Sequence, residues 1–253
     1  MSMHHFPHEF ADLLNKRGRA ILAKPPKLEV FRKRGVTPIA LLDGLIDDGV
    51  ARHCMRLLDS ALYPRLRRMH TRIPREALTE MTEAYRELLP KTMRVKTAIL
   101  NSSRSLAIRA AEEVGLAQMM FSDSFHEFAE ALIGATLDRT QQGRQVICYE
   151  PGDYSGPHND HHPHIADERN GFVDLHIMFS NDAVASQLLV YEERGYLTQA
   201  HDVSGTSAVA VYRLPFWHYT TPLMAHPGRE TDARRWLLLG TFAFDPPLRK
   251  LAY

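Results

Sequence analysis

Gln145-Val-Ile-Cys-Tyr149-Glu-Pro-Gly152-Asp-Tyr154-Ser-Gly-Pro-His158-Asn-Asp160 is the stretch around which this chain is organised. An apolar, β-prone run enters a Pro/Gly-punctuated turn and then delivers His158 and Asp160 two residues apart. On an extended strand that spacing aims both side chains to one face. An imidazole and a carboxylate on one face supply two of the three ligands of the facial triad that holds non-haem Fe(II) with coordination positions left open. The third ligand is expected to be a distant histidine.

The period of the sequence changes at Gly143. Residues 145–149, 172–179, 187–191, 208–212 and 236–244 are short β-type runs between turn-rich connections, the pattern of a sandwich or jelly roll. Upstream the patterns are mainly helical, over residues 9–22, 49–62 behind an Asp47-Asp48 cap, 74–89, 103–114 and 124–133, the last stopped by Gly134. Short strands are expected at 28–31, 37–42 and 95–100. Before residue 140 there is no Gly-rich phosphate loop, nucleophile elbow or zinc spacing. The expected fold is α+β: a double-stranded β-helix (jelly roll) with a largely helical N-terminal part packed on it. The expected division is an N-terminal helical extension (1–35), a helical support region (36–142) and a jelly-roll catalytic core (143–253).

His218 is the candidate third ligand. It follows the apolar run Ala208-Val-Ala-Val-Tyr212 and a proline turn, and it reaches His158 only if the intervening strands fold into a compact sandwich. The bland alternative is a histidine merely hydrogen-bonded at an apolar corner beside Trp217. Arg235 begins the apolar strand Arg235-Trp-Leu-Leu-Leu-Gly240, where a planar guanidinium is suited to bind a carboxylate bidentately. By itself an arginine at a strand start is usually a solvated edge residue. Arg234 and Arg229 are its rivals, but Arg235 shares a strand face with Leu237 and Leu239, and Arg234 points the other way.

In this company the chain resembles the iron and 2-oxoglutarate-dependent dioxygenases, particularly the branch similar to the prolyl hydroxylases. The matching pieces are Tyr149-x-x-Gly152 before His158-x-Asp160, Ser186-Gln-Leu188, Gly205 leading into Trp217-His218-x-x-x-Pro222, and Arg235-x-Leu-Leu-Leu-Gly240-x-Phe242. Ile39-Ala-Leu-Leu-Asp43-Gly-Leu45 resembles the usual opening of such domains. The resemblance implies that His158, Asp160 and His218 are iron ligands and that Arg235 pairs with the distal carboxylate of 2-oxoglutarate, assisted by Tyr149. It also implies Fe(II), 2-oxoglutarate and O₂ as cofactor and cosubstrates, with hydroxylation of a prime substrate and release of succinate and CO₂. The chain departs from the pattern in the long gap between His218 and Arg235 and in Ala185-Ser186 at the usual double glycine.

Two other classes compete. A zinc-dependent jelly-roll hydrolase or isomerase would use His158, His218 and either Asp160 or one of His161, His162 and His164, but it leaves Arg235 without a role. In a metal-stabilised binding module the same residues would be structural.

The remaining bounds are broad. The 253 residues suffice for a full core, and the charged content of 24% is that of an ordinary globular protein. No apolar run reaches membrane-spanning length, and the two cysteines, Cys54 and Cys148, imply no disulfide framework, so a cytoplasmic location is expected. Residues 1–110 carry 21 Lys/Arg against 11 Asp/Glu, and residues 111–253 carry 10 against 19. That asymmetry fits basic helices docked on an acidic layer of the same molecule or presenting solvated faces, or a basic rim of Arg65, Arg67, Arg68, Arg72 and Arg75 that steers an acidic substrate or nucleic acid. No nucleic-acid motif accompanies it. The prime substrate, whether protein side chain, amino acid or small metabolite, and the oligomeric state are not encoded in any readable motif.

Overall fold

The computed structural model describes residues 4–33, 35–73, 91–101, 105–160 and 172–245. Within them the strands are β1 (Ile39–Asp43), β2 (Arg67–Arg72), β3 (Thr92–Ile99), β4 (Leu137–Tyr149), β5 (Tyr154–Ser155), β6 (Phe172–Ser180) and β7 (Val184–Ser186). They continue as β8 (Leu188–Glu193), β9 (Tyr196–Asp202), β10 (Ser207–Leu214), β11 (His218–Thr220), β12 (Met224–Ala225) and β13 (Arg235–Phe244). The helices are α1 (Lys16–Ala23), α2 (Asp48–Leu57), α3 (Leu106–Glu113), α4 (Leu116–Met120) and α5 (Asp123–Ile133).

A large antiparallel sheet runs β1-β10-β6-β13-β4-β3-β2, with β5 beside β3. The smaller sheets β11-β8-β9 and β12-β7 form the second wall, giving the α+β jelly roll. Its two faces separate by strict alternation. Trp236, Leu238 and Phe242 of β13, Ile177 and Phe179 of β6 and Val209 and Val211 of β10 pack with the helices around Phe10, Phe125 and Phe128. Leu237, Met178, Ile147 and Tyr212 face the inside of the roll. Burial on both faces is why β13 reads as a nearly continuous apolar run.

Helix ends follow local chemistry. Ser122 and Ser105 cap α5 and α3 through their hydroxyls, and α5 ends at Gly134 with φ 71°. The expected single helix over 9–22 is instead a 3₁₀ turn (Phe10–Asp12) followed by α1. Asn15 divides them, because its side chain accepts from the Arg17 and Gly18 amides at 2.9 and 3.1 Å and starts a new helix. Residues 28–31 form no strand: Glu29–Phe31 is a 3₁₀ turn that drives Phe31 into the helix-side core. The helix expected over 49–62 is α2 continued by a π-helical turn (Leu58–Leu62). Asp47 occupies its N-cap position without a side-chain cap bond and accepts from Asn15 instead. The helix expected over 74–89 lies outside the described residues.

The basic residues of the N-terminal half that dock on acidic residues of the core lie on strands β2 and β3, not on helices as expected. Arg68 pairs with Glu150 and Asp153, Arg94 with Asp153 at 3.0 Å, and Lys96 with Glu150 at 3.3 Å. Arg65, Arg67 and Arg72 are exposed, and Arg75 lies outside the described residues.

Gly240 fixes how closely α5 approaches the sheet. A β-carbon there would sit 2.5 Å from the Phe125 ring and 3.1 Å from Phe242. Phe125 is itself fully buried and set edge-on against Phe10, 5.2 Å between ring centroids. Gly240→Ala is therefore expected to destabilise the fold by about 1–3 kcal/mol, a melting-point drop of several degrees. An unchanged thermal midpoint would show that the Phe125 ring yields freely.

Candidate metal centre and its cavity

The turn after β4 brings the chain back across the mouth of the roll. Gly152, at φ 78°, supplies the left-handed residue of that turn, and the Asp153 carboxylate accepts from the Glu150 amide at 3.0 Å. β5 then leads into His158, which meets His218 at an isolated antiparallel bridge. The two residues exchange main-chain hydrogen bonds, each 3.0 Å. His158 and Asp160 do not share one extended strand, as the spacing had suggested. Asp160 has φ 53°, and this left-handed step returns its carboxylate toward the imidazoles.

An Asp160 carboxylate oxygen lies 3.5 Å from His158 Nε2 and 3.6 Å from His218 Nε2. Ligand atoms of the three residues all fall within 4.8 Å of one another. Both rings are oriented through their other nitrogen: His158 Nδ1 is 2.7 Å from the Gly156 carbonyl, and His218 Nδ1 is 3.1 Å from the Phe216 carbonyl. A carbonyl only accepts, so Nδ1 carries the proton and Nε2 presents a lone pair to the shared space. Burial, together with the neighbouring His158, pushes the His218 pKa down to about 3, which keeps the ring neutral and able to ligate. Two imidazoles and one carboxylate converging from one side form a donor set that fits Fe(II).

The three residues border a cavity of about 300 Å³ between the large sheet and the smaller ones. Arg235 lines it, 1% exposed, at the start of β13 between Tyr149 of β4 and Ser180 of β6. Its guanidinium lies over the Tyr149 ring, 4.3 Å from the centroid, and its Nε donates to Gln187 Oε1 at 2.6 Å. Gln187 is held in turn by the Thr221 carbonyl at 2.9 Å. Among the described residues no carboxylate forms an ion pair with Arg235, and burial lowers its pKa. Arg234 points to the helix side, its guanidinium 4.2 Å from the Tyr63 ring centroid, and Arg229 pairs with Asp182 at the surface.

No family model matches the sequence, and no curated protein matches it. Solved structures do. A 2OG-Fe(II) oxygenase family oxidoreductase from Burkholderia pseudomallei superposes with a TM-score of 0.50 over 96% of this chain and 95% of that chain, at 11% identity. A prolyl 4-hydroxylase structure from Phytophthora capsici superposes with a TM-score of 0.50 over 94% of this chain and 66% of that chain, at 13% identity. The chain has the fold of the 2OG-Fe(II) oxygenases. At these identities the likeness is one of fold, and within that fold the His158, Asp160 and His218 cluster opens onto the interior of the roll.

His161, His162 and His164 lie outside the described residues. Gln187 stood in the quoted Ser186-Gln-Leu188 without a role, and the structure has it orient Arg235, while the cavity-lining polar group Asp174, His176, Tyr212 and Thr241 was missed. A signal for the latter was present: Asp174 and His176 interrupt the apolar run of β6 at a spacing of two, which puts both on the same face. Among the described residues no helix is long and apolar enough to cross a membrane.

Proposed function

We propose that this protein is an Fe(II)- and 2-oxoglutarate-dependent oxygenase that hydroxylates a substrate bound at the open side of the metal centre. The observation that carries this reading is the pairing, in one cavity, of a His/Asp/His donor set with a buried guanidinium that has no carboxylate partner among the described residues. A buried cation without a counter-charge is costly, and a dicarboxylic cosubstrate supplies one. The neighbouring oxygenase structures give the same reading a precedent on this fold.

In this reading His158, His218 and Asp160 hold the iron through Nε2, Nε2 and a carboxylate oxygen. Bound there with 2-oxoglutarate, ferrous iron supplies the activation of O₂ that yields succinate, CO₂ and an oxidised product. The chain's own part is positioning. Arg235, braced by Gln187 and backed by the Tyr149 ring, fixes the distal carboxylate. Leu237, Met178 and Ile147 line the path between and keep it dry. Burial raises the Tyr149 pKa, so it stays a neutral phenol at working pH.

Metal analysis of the purified protein with a 2-oxoglutarate decarboxylation assay tests the proposal. Iron with succinate formation supports it, zinc with hydrolysis favours the hydrolase class, and neither activity favours a binding module. His161→Ala, His162→Ala and His164→Ala are each expected to keep most metal affinity, because the triad needs no fourth protein ligand. A loss in any of them as large as in His158→Ala would support the zinc alternative.

A further inference from the structure

The interior of the roll holds a second charged group that the proposed iron and 2-oxoglutarate chemistry does not use. On β13 the inward residues run Arg235, Leu237, Leu239, Thr241, and on β6 the register sets Met178 beside Leu237, His176 beside Leu239 and Asp174 beside Thr241. Arg235 and Asp174 are thus separated by six residues of strand, roughly 20 Å of backbone. Both line the same cavity.

Asp174 is 5% exposed, and among the described residues no lysine or arginine pairs with it. Its close donor is the Thr241 hydroxyl at 2.7 Å. His176 Nε2 lies 3.8 Å away and partly offsets the burial of the carboxylate, and the ring nitrogens of His176 are 2.7 and 2.9 Å from the Tyr212 hydroxyl. A carboxylate offers about four acceptor sites, and among the described residues the one short bond to it comes from Thr241. Burial raises its pKa, the signature of a carboxylate short of compensation.

We propose that Asp174, with Thr241 and His176 beside it, is a subsite for a protonated amine, so that the substrate is a small amine or a lysyl side chain. The word substrate rests on the oxygenase reading; the cation site rests on the cavity alone. A bound ammonium donates to the free lone pairs of Asp174 and replaces the water that otherwise solvates them.

Calorimetric titration of the protein with its His/Asp/His site filled by a divalent cation, without 2-oxoglutarate, tests this without turnover, using n-butylammonium, its neutral counterpart n-butanol and a capped Gly-Lys-Gly peptide. One of the two ammonium probes is expected to bind at least tenfold more tightly than n-butanol. A tighter peptide assigns a side-chain source, and tighter n-butylammonium assigns a free amine. The preference should vanish in Asp174→Asn, which keeps the size and an acceptor for Thr241, and persist in Thr241→Val, which keeps the carboxylate. Equal binding of all three probes to the wild type, or an unchanged preference in Asp174→Asn, overturns the proposal. Should Asp174→Asn not fold, Asp174→Ser takes its place with the same expected loss of preference, and equal binding of the three probes to the wild type still overturns the proposal. A parallel 2-oxoglutarate titration separates the two readings. Intact Arg235-dependent cosubstrate binding without cation preference sinks only the amine subsite, whereas cation preference without cosubstrate binding sinks only the oxygenase.

Discussion

Asp160→Ala and His158→Ala are each expected to lose iron affinity by more than about a hundredfold, since even residues behind the ligands typically cost ten- to a hundredfold. Succinate formation should fall with it, while the protein stays folded. The main-chain bonds between His158 and His218, each 3.0 Å, survive truncation of either side chain, so the corner that carries the site keeps its anchor. Asp160→Gly separates chemistry from stability more sharply. At φ 53° an aspartate holds a backbone conformation that glycine adopts freely. Glycine relieves that strain but loses more entropy on folding, and the two effects are each about 1 kcal/mol. Metal-free Asp160→Gly should therefore melt near the wild-type temperature and yet fail to bind iron. Metal titration followed by intrinsic fluorescence, with circular dichroism as the control, checks both parts. Unchanged succinate production in Asp160→Ala would remove the carboxylate from the triad.

Elements with at least one apolar face were legible in the sequence, and elements held by other forces were not. The runs behind β4, β6, β8, β10 and β13 stood out because each is buried on at least one face and is rich in branched or aromatic residues. β2 escaped notice. Its Arg-Arg-Met-His-Thr-Arg has one apolar residue, since it is an exposed edge strand tied down by Arg68 to Glu150 and Asp153. β9 was hidden for a similar reason, its outer face carrying Tyr196, Thr198 and Ala200 to solvent. At the site, the residue types and their order along the chain were readable, but the left-handed step at Asp160 was not. Aspartate tolerates a positive φ better than most residues, but nothing in His-Asn-Asp says which of the three adopts it. Gln187 is likewise meaningful only once Arg235 lies 2.6 Å from it.

Arg235→Ala is expected to raise the 2-oxoglutarate requirement about a hundredfold or more, because a buried anion left without its partner costs on the order of 3 kcal/mol, and each 1.4 kcal/mol is tenfold. The surroundings amplify the effect. Arg235 is enclosed, flanked by the Tyr149 ring and the Gln187 amide, so water cannot readily take the place of the guanidinium. Arg235→Lys should recover only part of the loss: an ammonium can neutralise the carboxylate but cannot donate two parallel bonds while also holding Gln187. Arg234→Ala should leave the requirement nearly unchanged, since that side chain faces the helices and stacks on Tyr63. Titrating 2-oxoglutarate in uncoupled decarboxylation, with direct binding measured alongside, compares all three variants. A large loss in Arg234→Ala with none in Arg235→Ala would mean that the inner and outer faces of β13 are exchanged, and with them every cavity residue that strand contributes, Leu237, Leu239 and Thr241 included.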